Sequence, residues 1–284
     1  MYVRSGHAFR PAVRGLQRDA EPGGVYNEGP AFRANVRAFQ VGVDLWRGGT
    51  PGKSLTVAGL YGAVGWNEGI VKDHDLSYAG QVKFDAYTVA GYATHYGPGG
   101  WYVDGVVQAT WYKVRAGSVS PDDMKTDGTG IAVSLETGYP VRLGGGFSIE
   151  PQAQLIYQHL DLDDSADMAA DVQFDKAEAL TGRMGLRLLH NGERPGRDGP
   201  RPIATWLRAN VWREFNADPR TSFSSEDGPV PFRSNIKATW AEFGAGVSTE
   251  VTRGATLFGS GSWQTAFGQE TKSWGLRAGL RFNW

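Results

Sequence analysis

The chain has 284 residues, with 29 Lys and Arg against 30 Asp and Glu and no cysteine; the charge balance gives no footprint for nucleic acid, and disulfides and thiolate metal sites are excluded. Mean hydropathy is −0.37, and no window approaches the ~20 unbroken apolar residues of a membrane-spanning helix. A membrane β-barrel stays open, because only alternate residues of its strands need be apolar.

Taken in order, runs that are alternating or rich in β-formers, bounded by turn residues, predict twelve strands near residues 1–9, 33–46, 54–67, 82–96, 100–114, 129–140, 147–160, 177–190, 201–216, 235–250, 255–266 and 273–284. Most are longer than the ~5–6 residues of an ordinary soluble strand. They suit a tilted membrane span with extensions beyond the bilayer. No apolar h-region follows Met1-Tyr2-Val3-Arg4; if the protein is exported, the sequence is expected to be a mature or excised piece.

The connections alternate in length. After even-numbered strands they are short and glycine-rich, at Gly48 to Gly52, Gly97 to Gly99, Gly144 to Gly146 and Thr252 to Gly254; the exception is Asn191 to Pro200. After odd-numbered strands they are mostly longer and polar, at 10–32, 68–81, 115–128, 161–176 and 217–234. Short turns at one end and long loops at the other are the habit of outer-membrane barrels, with the long loops external.

Several strands sort into two faces. In the second, Phe39, Val41, Val43 and Leu45 oppose Gln40, Gly42, Asp44 and Trp46; in the eighth, Leu180, Met184, Leu186 and Leu188 oppose Thr181, Arg183, Gly185 and Arg187. The last eleven residues alternate throughout, with Trp274, Leu276, Ala278, Leu280, Phe282 and Trp284 on one face. The third, fourth and eleventh runs carry Gly, Ala and aromatics on both faces and cannot be oriented. Pro151, inside the seventh run, falls on the outward face near one end, where a ladder tolerates a missing donor.

Collected, the inward ionisable residues are Asp44, Asp104, Glu136, Glu150, Glu214 and Glu242 with Arg183, Arg187, Arg208, Arg277 and Arg281. Unpaired charge in a dry core costs several kcal/mol per group, roughly, so these residues suit a wet lumen with paired walls. A soluble sheet with one solvated face is the other reading. His7, His74, His95, His159 and His190 lack metal-ligand spacing, no Gly-x-Ser-x-Gly elbow occurs, and no metal or cofactor is expected. The stretch 161–175 holds six Asp but lacks the glycine and terminal glutamate of an EF-hand, so it reads as a solvated external loop.

At Val41-Gly42-Val43-Asp44-Leu45, Ala90-Gly91-Tyr92-Ala93-Thr94, Trp101-Tyr102-Val103-Asp104-Gly105, Glu150-Pro151-Gln152-Ala153-Gln154-Leu155, Trp240-Ala241-Glu242-Phe243-Gly244 and Arg281-Phe282-Asn283-Trp284 the chain resembles the type Va autotransporter C-terminal β-domain, nearest its pertactin-like group. The resemblance covers most of residues 31–284. It implies a 12-stranded antiparallel transmembrane β-barrel of the Gram-negative outer membrane, all-β over residues 1–284, acting as a monomeric translocator in type V secretion. Its implied partners are outer-membrane lipid, its own passenger, the barrel assembly machinery and periplasmic chaperones. In the family an α-helix continuous with the passenger plugs the lumen; helix and passenger are expected to lie outside this sequence. The outward residues Leu276, Ala278, Leu280, Phe282 and Trp284 resemble the terminal signal read by the assembly machinery. Some relatives cut their passenger at an Asn on that helix, assisted by lumenal acids; that Asn would lie outside the chain. No catalytic residue is therefore assigned, and Asp104, Glu136, Glu150, Glu214 and Glu242 stand as candidates for lining, pairing or assisting such a cut. Two other functions fit a barrel. A diffusion porin would use residues 10–32 as an inward-folded loop. A twelve-stranded outer-membrane phospholipase would need a lipid-facing Ser beside His95 or His159.

Overall fold

The structure is a computed structural model; it describes residues 8–9, 12–21, 31–72, 77–118, 123–166, 171–196, 199–217, 220–223, 230–233, 238–268 and 270–283. Long antiparallel strands dominate: β1 (Ala12–Glu21), β2 (Ala31–Thr50), β3 (Ser54–Lys72), β4 (Tyr78–Tyr96), β5 (Tyr102–Ser118), β6 (Met124–Gly138), β7 (Phe147–Leu162), β8 (Ala177–Arg194), β9 (Arg201–Ala217), β10 (Thr239–Thr252), β11 (Ala255–Ala266) and β12 (Glu270–Asn283). Each pairs with its neighbour in sequence, and β12 pairs antiparallel with β1, from Glu270↔Glu21 to Gly279↔Ala12. The sheet therefore closes on itself and leaves no open edge in the wall.

The closure is sheared. Partner by partner from Gly48, the register passes Thr56, His95, Val103, Thr137, Ala153, Met184, Val211, Ala241, Thr265, Lys272 and Asp19 and returns to β2 at Arg33. An offset of that size around twelve strands tilts them by about 40° from the barrel axis. Tilt lengthens each crossing, and the strands run on beyond it at the long-loop end.

Sequence chemistry sets the turns. Gly144, Gly145 and Gly146 hold φ of 92°, 57° and 82°, values that a Cβ disfavours, so the chain can reverse after the short strand Val141–Gly144 and enter β7. Pro151 lies where β6 has ended; its carbonyl accepts from Tyr139 N at 3.2 Å. Beyond the wall, Ser165–Ala166, Asp171–Phe174, Arg220–Phe223 and Val230–Arg233 form a separate four-stranded sheet from the two longest external connections.

Burial is inverted relative to a soluble protein. Leu45, Val107, Leu135, Met184, Leu207 and Leu276 are exposed, Met184 at 74%, while Asp44, Glu150, Arg183 and Glu242 are buried at 5%, 4%, 6% and 3%. No large side chain is fully buried among the described residues. A water-soluble sandwich would expose the second set and bury the first; this arrangement needs lipid outside and a polar interior. Trp66, Tyr87, Trp111, Tyr157 and Trp263 face outward toward the long-loop end, and Trp46, Tyr139 and Phe147 toward the short-turn end, an aromatic belt at each interface.

Three expectations are corrected. The first wall strand is Ala12–Glu21 rather than 1–9; residues 1–7 lie outside the described residues, and Ala8–Phe9 makes a two-residue pairing with β12. Within the segment 10–32, expected as a candidate inward-folded porin loop, residues 12–21 instead form a strand of the wall. Trp46, expected inward, faces out at 55% exposure, because a bulge between Asp44 and Trp46 inserts Leu45 and inverts the alternation. The register also orients the ambiguous strands: Leu60, Val89 and Leu257 face out, and Tyr61, Asn67, Tyr92 and Thr94 face in.

Candidate functional site: the polar wall of the lumen

Every ionisable residue expected inward falls on the inward face. Asp44 shares its row with Gly59 and Tyr92, and Asp104 shares its row with Glu136, Gln154, Arg183, Trp212 and Trp240. Residues directly opposite each other on paired strands project to one side, so these rows are continuous bands on the inner wall. Arg277 and Arg281 lie on the inner face of β12, opposite Ser260 and Thr256.

The groups are knitted into two networks. On β5 to β8, Tyr102 Oη donates to Glu136 at 2.5 Å, and Gln152 Nε2 donates to Tyr102 Oη at 2.9 Å and to Glu150 at 2.7 Å. Arg187 Nη2 donates to the two oxygens of Glu150 at 2.8 and 3.0 Å. Arg183 Nη2 lies 2.9 Å from Glu136, and its guanidinium sits 5.4 Å from the ring of Trp212, which stacks on Trp240 at 5.8 Å. On β9 to β11, Glu242 accepts from Trp212 Nε1 at 3.0 Å, Gln264 Nε2 at 3.0 Å and Asn210 Nδ2 at 3.3 Å, and pairs with Arg208 at 2.6 Å. A carboxylate at this depth is tolerable because several donors replace its hydration. Glu214 accepts from Thr181 at 2.7 Å, Asp44 from Tyr92, and Asp104 from Thr94.

The charges are segregated around the ring. Asp44, Asp104, Glu136 and Glu150 stand on β2 to β7, whereas Arg183, Arg187, Arg208, Arg277 and Arg281 stand on β8 to β12, with Glu214 and Glu242 among them. The two halves meet in contact where Arg183 and Arg187 of β8 pair with Glu136 and Glu150. At the short-turn end, Tyr102, Asp104, Glu136, Glu150 and Arg187 line a cavity of about 440 Å³.

Sequence reasoning did not single out Tyr92, Tyr102, Gln152, Trp212 or Gln264 as members of these networks, although Tyr102, Gln152 and Trp212 alternate in phase with the inward acids of their own strands. It also missed the pair of Arg201 and Glu250, 2.9 Å apart. On the outer face, His95 Nδ1 has a hydroxyl at 2.8 Å, but it belongs to Thr56 rather than to a serine, and His159 lies 3.6 Å from Glu178. In the acidic connection, Asp161 pairs with Lys176 at 3.1 Å and Asp164 accepts from Phe174 N at 3.1 Å. Leu276 and Phe282 on β12 face outward, at 59% and 40% exposure, in phase with Ala278 and Leu280; Trp284, His7 and His74 lie outside the described residues.

A closed antiparallel ring, apolar outside and ion-paired inside, is an outer-membrane β-barrel. The family model described as the autotransporter β-domain matches residues 15–262, and the chain belongs to that family. It is 26% identical to the pertactin autotransporter of Bordetella parapertussis over 308 aligned positions, covering 100% of this chain and 31% of that protein. It is 27% identical to the BrkA autotransporter of Bordetella pertussis, covering 89% of this chain and 24% of that one. The chain thus spans about a third or less of these relatives. Among solved structures it is similar to the transport unit of AIDA-I from Escherichia coli, with a TM-score of 0.84, 14% identity and coverage of 100% and 92% of the two chains. It also matches the β-domain of the Bordetella autotransporter BrkA, with a TM-score of 0.74, 21% identity and coverage of 99% and 100%. Its place is the outer membrane of a Gram-negative bacterium.

Proposed function

We propose that the barrel, as one translocator unit over residues 1–284, passes its own N-terminal passenger to the cell surface and then holds a passenger segment in its lumen. The observation that carries this reading is the segregated, hydrogen-bonded inner wall. Acids on β2 to β7 and arginines on β8 to β12 give a polypeptide water, paired charge and few apolar traps along the way. An α-helical segment of the passenger would meet Asp44, Asp104, Glu136 and Glu150 on one flank and Arg183, Arg187, Arg208, Arg277 and Arg281 on the other.

The remaining parts follow from position. Leu276, Ala278, Leu280, Phe282 and Trp284 form the signal offered to the barrel assembly machinery after periplasmic chaperones deliver the chain, and the assembled barrel is a monomer in lipid. The acids serve lining and pairing, with no catalytic, metal or cofactor role; Glu136, Glu150 and Glu242 are each held by several donors, which suits structure better than proton transfer. The test is surface display. A tagged reporter fused ahead of residue 1 is expected to be cleaved by protease added to intact cells. A barrel that assembles while its reporter stays protected inside would overturn the proposal.

A further inference from the structure

Above the apolar band, the outer face of the barrel is charged unevenly. Toward the long-loop end of β2 to β5, Arg37, Lys83, Lys113 and Arg115 gather with Glu68 and Asp85 around a groove of about 300 Å³, with Trp66 in its wall. The register builds it. Arg37 is opposite Trp66, Trp66 opposite Asp85, and Asp85 opposite Lys113, while Glu68 is opposite Lys83 and Lys83 opposite Arg115. Four cations face two carboxylates, and one carboxylate is partly engaged, Glu68 lying 3.2 Å from Lys83. Arg37, Lys113 and Arg115 are all exposed.

Two residues down each strand, ~7 Å, the same face turns apolar and aromatic: Phe39 opposite Val64, Val64 opposite Tyr87, Tyr87 opposite Trp111. Cations directly over an aromatic and apolar floor match an amphiphile whose anionic group sits above its hydrocarbon. On the flank of β7 and β8 the outward face carries a carboxylate instead, Glu178, beside His159. The clustering of four cations around one groove belongs to the β2 to β5 flank.

We propose that this groove binds the phosphate of a lipid headgroup in the external leaflet, with the lipid's acyl chains lying on Phe39, Val64, Tyr87 and Trp111. The guanidinium groups of Arg37 and Arg115 supply paired N–H donors for phosphate oxygens, and Lys113 adds a point charge. A free anion would gain the same charges and nothing from the apolar floor, which is why a lipid is favoured.

The test uses the chain folded in a non-ionic detergent, with bisphosphorylated lipid A as the probe, its dephosphorylated form as the control and inorganic phosphate as the competitor. Binding of the phosphorylated lipid is expected to exceed that of the control. It is expected to fall by about tenfold in R37Q/K113Q/R115Q, which removes three exposed charges, and to rise by about threefold in E68Q/D85N, which removes the local repulsion. The second variant guards against misfolding, since a damaged barrel does not gain affinity. Equal binding of the two lipids, or undiminished binding by the triple variant, would overturn the proposal. So would full displacement by inorganic phosphate at the lipid's own concentration, which would mark a free-anion site.

Discussion

Arg183 reaches over an entire strand to Glu136. The two are not on neighbouring strands: Gln154 of β7 lies between them in the same row, yet Arg183 Nη2 stands 2.9 Å from the Glu136 carboxylate, with the arginine side chain 5% and the glutamate side chain 25% exposed. One guanidinium thus staples β6, β7 and β8 from the inside. Replacing it with methionine leaves Glu136 with only Tyr102 as its charge-stabilising donor in this network. R183M is expected to lower stability by about 2 kcal/mol, less than a fully buried pair would lose because Glu136 is partly hydrated. Urea titration of the heat-modifiable band measures it. Adding E136Q, which removes the stranded charge and keeps an acceptor for Tyr102, is expected to recover most of the loss.

Glu242 gathers four donors from the two strands that flank it, three on β9 and one on β11. E242A would remove the carboxylate that Arg208 pairs with and the acceptor of the Trp212 indole N–H, and is expected to cost about 3 kcal/mol by the same titration. E242Q keeps two acceptor lone pairs and is expected to cost less than half as much.

Gly59 is a packing glycine. A Cβ built there would lie 2.5 Å from Tyr92 Oη and closer still to the carbonyl of Val43, and Tyr92 is the donor to Asp44. G59V is expected to destabilise the β2–β3–β4 wall by about 2 kcal/mol, seen as a lower temperature for loss of the folded band. At Gly62 the nearest contact to such a Cβ is 3.7 Å, so G62A is expected to be close to neutral.

The two faces of β7 are expected to respond oppositely to the same substitution. Leu155 faces lipid at 52% exposure, whereas Gln158 faces the lumen three residues on. L155R is expected to cost about 2–3 kcal/mol and Q158R close to nothing. Equal penalties would mean that the two faces see the same solvent.

Most of the wall was legible because lipid and lumen impose a strict period of two: β2 to β12 lie close to where alternation places them, and the inward charges of β8 to β10 were readable from Leu180 to Val247. The failures have physical causes. Ala12–Glu21 carries Arg14, Gln17, Arg18 and Asp19, so it shows no outward apolar stripe, and its strand character comes from pairing with β2 and β12. Beyond the bilayer both faces of a strand meet water and alternation fades; β3 therefore continues to Lys72 and β4 begins at Tyr78, where the sequence suggested a long loop at 68–81. The single inserted residue at Leu45 inverted Trp46 without a local sign. Partners such as Arg183 and Glu136 were not readable, because shear around the closed ring, rather than spacing in the chain, decides which rows meet.

The most direct measurement of a closed barrel is a cross-link across its seam. The chain has no cysteine, so paired cysteines introduced at Val13 and Ala278, partners on β1 and β12, report only on that contact. After mild oxidation of the folded protein, boiled samples are expected to show the shifted band of an internally cross-linked chain, as they should for cysteines at Leu207 and Ala245 within the wall. A cross-link at the wall pair together with none at the seam would mean an open sheet, and would contradict both the sealed lumen and the passage assigned to it.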